Sequence, residues 1–258
     1  MHRTPAHFLG DKRATVVVVG CGGTGSQMLS GLARLNYALI ELGHPGLQVT
    51  AFDADTISTA NIGRQMFCPA DVGLHKSVVL VHRINAFFGT DWIGRPVHAG
   101  FDEIVRGAPD LVIMCVDSAK ARAKLARPLY ESNCYVMDLG NRAGDGQVIF
   151  GASPNTRGNR TDDLMPIGSS QLRWPYDVLP ELVDEWAPED DTPSCSLAEA
   201  LEKQELFINQ AVVTHGLAIL WEFFRHASLS TCGAFVNLKT GNVRPILVPP
   251  PPNEKAEK

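Results

Sequence analysis

Gly20, Gly22 and Gly25 keep a GxGxxG spacing within Gly20-Cys21-Gly22-Gly23-Thr24-Gly25-Ser26. A glycine turn entering a helix bares backbone N–H groups, and the missing Cβ atoms let a phosphate come close to them. Alone, the spacing suits NAD, FAD and nucleotide enzymes equally, or a turn needed only to pack strand on helix. No Lys-Ser/Thr pair ends the loop, so it is not a Walker-type phosphate loop. Asp53 closes the next apolar run, where a carboxylate would accept ribose hydroxyls. The stretch from Asp53 through Asp55 then reaches Asn61, Arg64 and Gln65, and Lys76 follows. A dinucleotide has no need of Asn, Arg and Lys together at that place. A triphosphate does: Arg clamps phosphate oxygens bidentately, and Lys neutralises charge that builds on a transferring centre.

The elements that must carry these residues are readable from periodicity. Ala14–Val19 is a β-branched run of the kind buried on both sheet faces. Met28, Leu29, Leu32, Leu35, Leu39 and Leu42 recur at spacings of three and four, one face of a helix that Gly43 stops. Residues 48–53 predict a second strand and 75–88 a second helix. An apolar strand follows at 110–116, then a helix over 118–132 with Ser118 as its cap. A strand at 135–139 has a further strand, 147–151, beside it. Strands alternating with helices indicate an α/β fold, a doubly wound, Rossmann-like, mostly parallel sheet.

Past residue 150 the character changes. Residues 151–193 hold Pro154, Pro166, Pro175, Pro180 and Pro188, three Trp/Tyr (Trp174, Tyr176, Trp186) and the acidic run Glu189-Asp190-Asp191. That segment reads as irregular. The spacing predicts one helix over 194–224, with Leu197, Leu201, Ile208, Val212, Leu217 and Leu220 as core positions. Residues 234–238 and 243–248 predict a C-terminal antiparallel hairpin. We divide the chain into a nucleotide-binding half (1–150), a crossover segment, long helix and hairpin of the same domain (151–248), and a disordered tail (249–258).

The 258 residues are 45% hydrophobic and 20% charged, with 23 Lys+Arg against 28 Asp+Glu and a net charge of -5. This balance suits a soluble globular chain and disfavours nucleic acid as a partner. Residues 1–13 show no secretory pattern, and no apolar run reaches membrane-spanning length. The six cysteines form no CxxC pair, and reduced thiols in the cytoplasm are the simplest expectation. Cys21, Cys68, Cys115, Cys134 and Cys232 read as packing residues. His44, His75, His82 and His215 lack the spacing of a metal cluster.

The combination of GCGGTGS, DADTISTANIGRQ, Lys76 and Val116-Asp117 with Arg122 resembles the ThiF/MoeB/ubiquitin-activating superfamily. The likeness runs over residues 14–140, and the composition of the second half is most similar to the ThiF-family members of bacterial PRTRC systems. The resemblance implies an ATP-dependent adenylyltransferase that activates the C-terminal glycine carboxylate of a ubiquitin-like or sulfur-carrier-like protein. It implies ATP and Mg²⁺. Asp53 would hold the ribose. Asn61, Arg64 and Lys76 would grip the triphosphate, with Gln65 supporting them and Asp55 beside them. Gly20, Gly22, Gly23 and Gly25 would admit the nucleotide, and Asp117 would sit near the metal and the reacting carboxylate.

Cys195, in Thr192-Pro193-Ser194-Cys195-Ser196, stands where some relatives carry a thioester-forming cysteine in a Pro-x-Cys-Thr element; here Ser196 replaces Thr. A helix N-terminus there would favour the thiolate, and a buried packing role is the equal alternative. Many relatives bind structural zinc through two CxxC pairs. None exists here, so no structural zinc is expected. Relatives also reach into a partner's site with an N-terminal arginine. Only Arg3 and Arg13 precede the first strand, in a different context, so a homodimer stays open. Two other readings also stay open: a nucleotide-binding, non-catalytic partner subunit, and an NAD(P)-dependent oxidoreductase.

Overall fold

The computed structural model describes residues 1–100, 104, 107–157, 169–186 and 197–251. The strands are β1 (His2–Arg3), β2 (Ala14–Val19), β3 (Leu47–Phe52), β4 (Ile93–Arg95), β5 (Leu111–Met114), β6 (Tyr135–Asn141), β7 (Asp145–Ala152), β8 (Ser228–Leu229), β9 (Thr231–Asn237) and β10 (Asn242–Leu247). The α-helices are α1 (Gly23–Glu41), α2 (Lys76–Phe88), α3 (Ala119–Tyr130), α4 (Pro175–Val178), α5 (Leu197–Lys203) and α6 (Ile208–Arg225).

Eight strands form one sheet in the order β10-β9-β7-β6-β5-β2-β3-β4. Neighbours from β4 to β6 are parallel, and β7, β9 and β10 continue antiparallel. The expected doubly wound sheet with its antiparallel C-terminal hairpin is therefore the observed one. The order reverses at β2. The chain winds outward through β3 and β4, then returns to place β5 on β2's other side. A crevice opens at the carboxyl ends of the strands on either side of such a reversal.

Alternation along β2 divides the core. Val16 and Val18 join a cluster with Met28, Leu29 and Leu32 of α1, Leu80 and Val81 of α2, and Leu220 and Phe223 of α6. Val17 and Val19 face the other way, into a cluster with Leu125 and Leu129 of α3 and with Trp174 and Tyr176. Successive strand residues point to opposite faces, so an unbroken valine run serves both layers. Each fully buried valine contributes about 1.5–3 kcal/mol.

Several expectations need correction. The helix expected over 194–224 is α5 and α6 with a break at 204–207, and residues 194–196 lie outside the described residues. The break has a local cause: Glu205 N–H donates to Ala143 O, in the β6–β7 turn, at 2.7 Å. Leu201 is consequently 38% exposed rather than core. Leu42 lies at the C-cap of α1 and is exposed. Cys68 is exposed, whereas Cys21, Cys115, Cys134 and Cys232 are buried. Of the three aromatics in 151–193, Trp174 and Tyr176 are core and Trp186 is 94% exposed. Edge strand β4 has no alternation to betray it. Its Gly94 lies so close to α2 that a Cβ would stand 2.6 Å from Ser77 O. The proline-rich 249–258 segment is described only to residue 251, and the acidic run 189–191 lies outside the described residues.

Two features bind the layers. Gly25, in the first turn of α1, passes directly over the β2–α1 turn; a Cβ there would stand 1.8 Å from Gly20 O. On the second face, Arg122 and Asp138 form a buried ion pair. Arg122 Nε donates to Asp138 Oδ2 at 3.0 Å, and Tyr176 OH donates to the same oxygen at 3.0 Å. Burial pushes the Asp138 carboxyl up, and the Arg122 charge draws it back. Burial and the Asp138 charge push the Tyr176 phenol well above its ordinary value, so it remains a donor.

Gly25→Ala is expected to abolish folding, because the atom its Cβ would meet at 1.8 Å, Gly20 O, belongs to the backbone. Gly10→Ala, whose Cβ would meet its nearest atom at 3.5 Å, is expected to change stability by no more than about 0.5 kcal/mol. Asp138→Ala strands a buried guanidinium and is expected to cost about 3–5 kcal/mol. Circular dichroism checks Gly25→Ala for lost structure, and urea unfolding of the other two variants measures their differences.

Candidate active site at the sheet's switch point

The crevice beside β2 is a cavity of about 850 Å³, lined by the glycine turn, the ends of β3 and β5, and the β6, β7 and β9 strands. Gly20 takes φ +92°, a conformation that favours glycine, and a Cβ there would stand 2.8 Å from Cys115 O. The turn is held by its neighbours. Gly20 N–H donates to Phe52 O at 2.8 Å, and Cys21 N–H donates to Asp53 Oδ2 at 2.6 Å. Gly22 is the N-cap of α1, with no side chain capping the helix start. Gly22 and Gly23 line the cavity, so the open end of α1 faces it.

Asp53 is the bracket between β3 and this turn. Its Oδ1 accepts the Asp55 N–H at 2.8 Å while Oδ2 holds Cys21 N–H. Burial raises its pKa, opposed by those two N–H groups and by the Lys76 charge. Lys76 begins α2 and is 8% exposed. Its backbone N–H donates to Asp55 O at 3.1 Å, and its ammonium meets Asp55 Oδ2 at 2.8 Å. Asp55 thus ties the start of α2 to the end of β3, which brings Lys76 beside Asp53.

Arg64 reaches the cavity from the segment between β3 and α2. Its Nη1 donates to Gln204 Oε1 at 2.8 Å, and its buried Nε has no partner among the described residues. Burial lowers its pKa, and the charge of Asp117 works in the opposite direction. Gln65 is 8% exposed, with a buried Oε1 that also lacks a partner. Orphaned buried polar atoms beside a cavity are costly unless something in the cavity completes them. Asp117 follows β5 as an exposed residue on the opposite wall, and its carbonyl accepts Arg122 Nη1 at 3.3 Å.

The structure therefore brings Gly20, Gly22, Gly23, Asp53, Asp55, Arg64, Gln65, Lys76 and Asp117 to one cavity. Two other residues of the set lie off the lining. Asn61 is not among the lining residues, and its Oδ1 accepts Ser58 N–H at 2.9 Å, capping a single helical turn. Gly25 lies behind the turn, against Gly20 O. Cys195 lies outside the described residues. Arg13 pairs with Asp91 at 2.6 Å on the surface. Among the described residues no three His, Cys, Asp or Glu side chains gather to hold a metal ion, and no helix is long and apolar enough to cross a membrane.

Sequence reasoning misses the supports that come from the second half. Gln204 accepts from Arg64 and from Asn209 Nδ2 (3.1 Å), and Asn209 Oδ1 accepts Thr24 Oγ1 at 2.9 Å. This chain of contacts runs from the Arg64 guanidinium to the first turn of α1. Neither residue carries a signal in a helical pattern. Asp138 does: a carboxylate inside the apolar run Tyr135-Val136-Met137-Asp138-Leu139 must be paired to be buried.

The ThiF family profile matches residues 11–256. Among solved structures, the chain is similar to Escherichia coli MccB with succinimide: TM-score 0.60, 16% identity, covering 95% of this chain and 66% of that one. It is also similar to PaaA, with TM-score 0.54, 14% identity, and 92% and 65% of the two chains covered. A third similar structure is MccB with MccA-N7isoASN, with TM-score 0.58, 15% identity, and 97% and 68% covered. The chain spans about two thirds of the length of these proteins, and the likeness concerns the fold. With a match that takes in both the glycine turn and the C-terminal hairpin, the chain belongs to the ThiF family.

Proposed function

We propose that the protein adenylates a carboxylate: the C-terminal glycine carboxyl of a small ubiquitin-like or sulfur-carrier-like protein. The observation that carries this reading is the meeting of two cations, buried Lys76 and half-buried Arg64, with the glycine turn, Asp53 and Asp117 around one cavity. In this reading the open start of α1 and the two cations receive the ATP phosphates, and Asp53 receives the ribose. A carboxylate oxygen attacks the α-phosphorus, the bond to the β-phosphate breaks, and pyrophosphate leaves with both bridging electrons. Acyl adenylate remains.

Both reactants are anionic, and the barrier is largely their repulsion. Lys76 and Arg64 lie in a partly dry site where charge is screened less than in water. Their positions are set before substrate arrives, Lys76 by Asp55 and Arg64 by Gln204. The unpartnered Arg64 Nε and Gln65 Oε1 fit a polar ligand such as a nucleotide. Mg²⁺ entering with the nucleotide would take Asp117 as its protein ligand and lower the charge of the phosphates. Asn61 contributes in this reading by shaping the segment that carries Arg64. A later thioester at Cys195 extends the same reaction.

ATP–pyrophosphate exchange that depends on the glycine-ending carrier tests this reading. Arg64→Ala and Lys76→Ala are each expected to lower exchange by about 10²–10³ while folding is retained. Unchanged exchange in both variants rejects it. Cys195→Ala is expected to leave exchange intact and to remove a carrier thioester, seen on a non-reducing gel. A normal thioester in that variant takes Cys195 out of the reaction.

A further inference from the structure

The far wall of the cavity, away from the glycine turn, holds a second set of donors. Gly140 on β6 lies directly opposite Gln147 on β7. Because Gly140 has no side chain, the Gln147 amide lies over its Cα. A Cβ there would stand 2.4 Å from Gln147 Nε2 and 3.0 Å from Arg122 Nη2. Two nitrogen donors from different elements thus converge above one glycine, and all three residues line the cavity. The Gln147 amide has no hydrogen-bond partner among the described residues.

Arg122 is 4% exposed and its orientation is set from three sides. Nε donates to Asp138, Nη1 to Asp117 O and Nη2 to Leu139 O at 3.2 Å. Each Nη carries two hydrogens, so each has one beyond these contacts. Tyr176 OH holds Asp138 from behind. The charge of Arg122 is therefore balanced by Asp138 before any ligand arrives, and what faces the cavity is a directional donor more than a bare cation. That suits a carboxylate which must stay nucleophilic. A donor pair fixes where its oxygens lie, while a naked cation would stabilise the ground state and raise the barrier.

We propose that Arg122 Nη2 and Gln147 Nε2 form a two-donor seat for the carboxylate of the acyl substrate. Asp138 and Tyr176 are positioning residues that aim Arg122, and Gly140 provides the space in which Gln147 lies. This rests on the carboxylate-activation reading above and adds to it the residues that hold the attacking group.

The probe is a fluorescent decapeptide ending in Gly-Gly, made as the free acid and as the C-terminal amide. Binding is measured by anisotropy with saturating α,β-methylene-ATP, which blocks transfer, and affinity for that analogue is measured separately. Wild type is expected to prefer the acid by about tenfold or more, the worth of hydrogen bonds to a charged group. Gln147→Glu puts a like charge at the seat, and Gly140→Ala puts a methyl where the Gln147 amide lies and against Arg122 Nη2. Both are expected to erase the preference while affinity for the nucleotide analogue stays within about twofold. Tyr176→Phe keeps the ring and is expected to reduce the preference without touching the ligand. If Gln147 instead turned its oxygen to Arg122 as a cap, Gln147→Glu would keep the acid preference. Acid preference retained in both Gln147→Glu and Gly140→Ala overturns the seat and leaves carboxylate activation standing. A wild-type protein that binds acid and amide alike overturns both.

Discussion

Helix α1 begins on top of the turn that ends β2, so close that only hydrogen fits on Gly25 above the carbonyl of Gly20. That contact sets the height and direction of the helix start relative to the sheet. It also leaves the first N–H groups of α1 uncapped at the crevice, where an anion would complete them. The other supports adjust to it. Asp53 fastens the turn to β3, and Asp55 fastens the start of α2 to the same strand end. The second half of the chain fastens α1 itself through Asn209 and Thr24.

Three of the cations that line the cavity are each held by an oxygen acceptor. Asp55 holds Lys76, Gln204 holds Arg64, and Asp138 holds Arg122. These arrangements differ in kind. The Asp55 side chain is 64% exposed, so solvent screens its pairing with Lys76. Gln204 is neutral and fixes Arg64 without cancelling it. Asp138 is fully buried and balances Arg122 almost completely. The glycine-turn side of the cavity thus carries Lys76 and Arg64 together with the carboxylates Asp53 and Asp55, and the rest of the lining adds Arg122, Arg142 and Arg244.

The two halves of the chain share one hydrophobic cluster. Val16, Val18 and Met28 pack with Val212, Leu220 and Phe223. Sheet and helix packing therefore carry the C-terminal residues Gln204 and Asn209 to the glycine turn and Arg64, which lie before residue 65. The break between α5 and α6 is part of this arrangement. Glu205 leaves the helical ladder to bond Ala143, and the preceding Gln204 is left pointing at Arg64.

Local patterns determined much of this protein. The valine run, the leucine spacing of α1, the glycine turn and the stretch from Asp53 to Lys76 were legible because period and backbone geometry are short-range properties. They were enough for the sheet, its switch point and most of the residues on the glycine-turn side of the cavity. Tertiary structure alone decided the rest. Asn61, polar and well spaced, accepts the Ser58 N–H and caps its own turn. Gly25 became a packing contact. Gln204, Asn209 and the Gln147–Gly140 pair gained their places from strand register and helix packing between distant segments. Hydrogen bonds reach about 3 Å, and which groups come within that reach across more than a hundred residues is set by how whole layers stack.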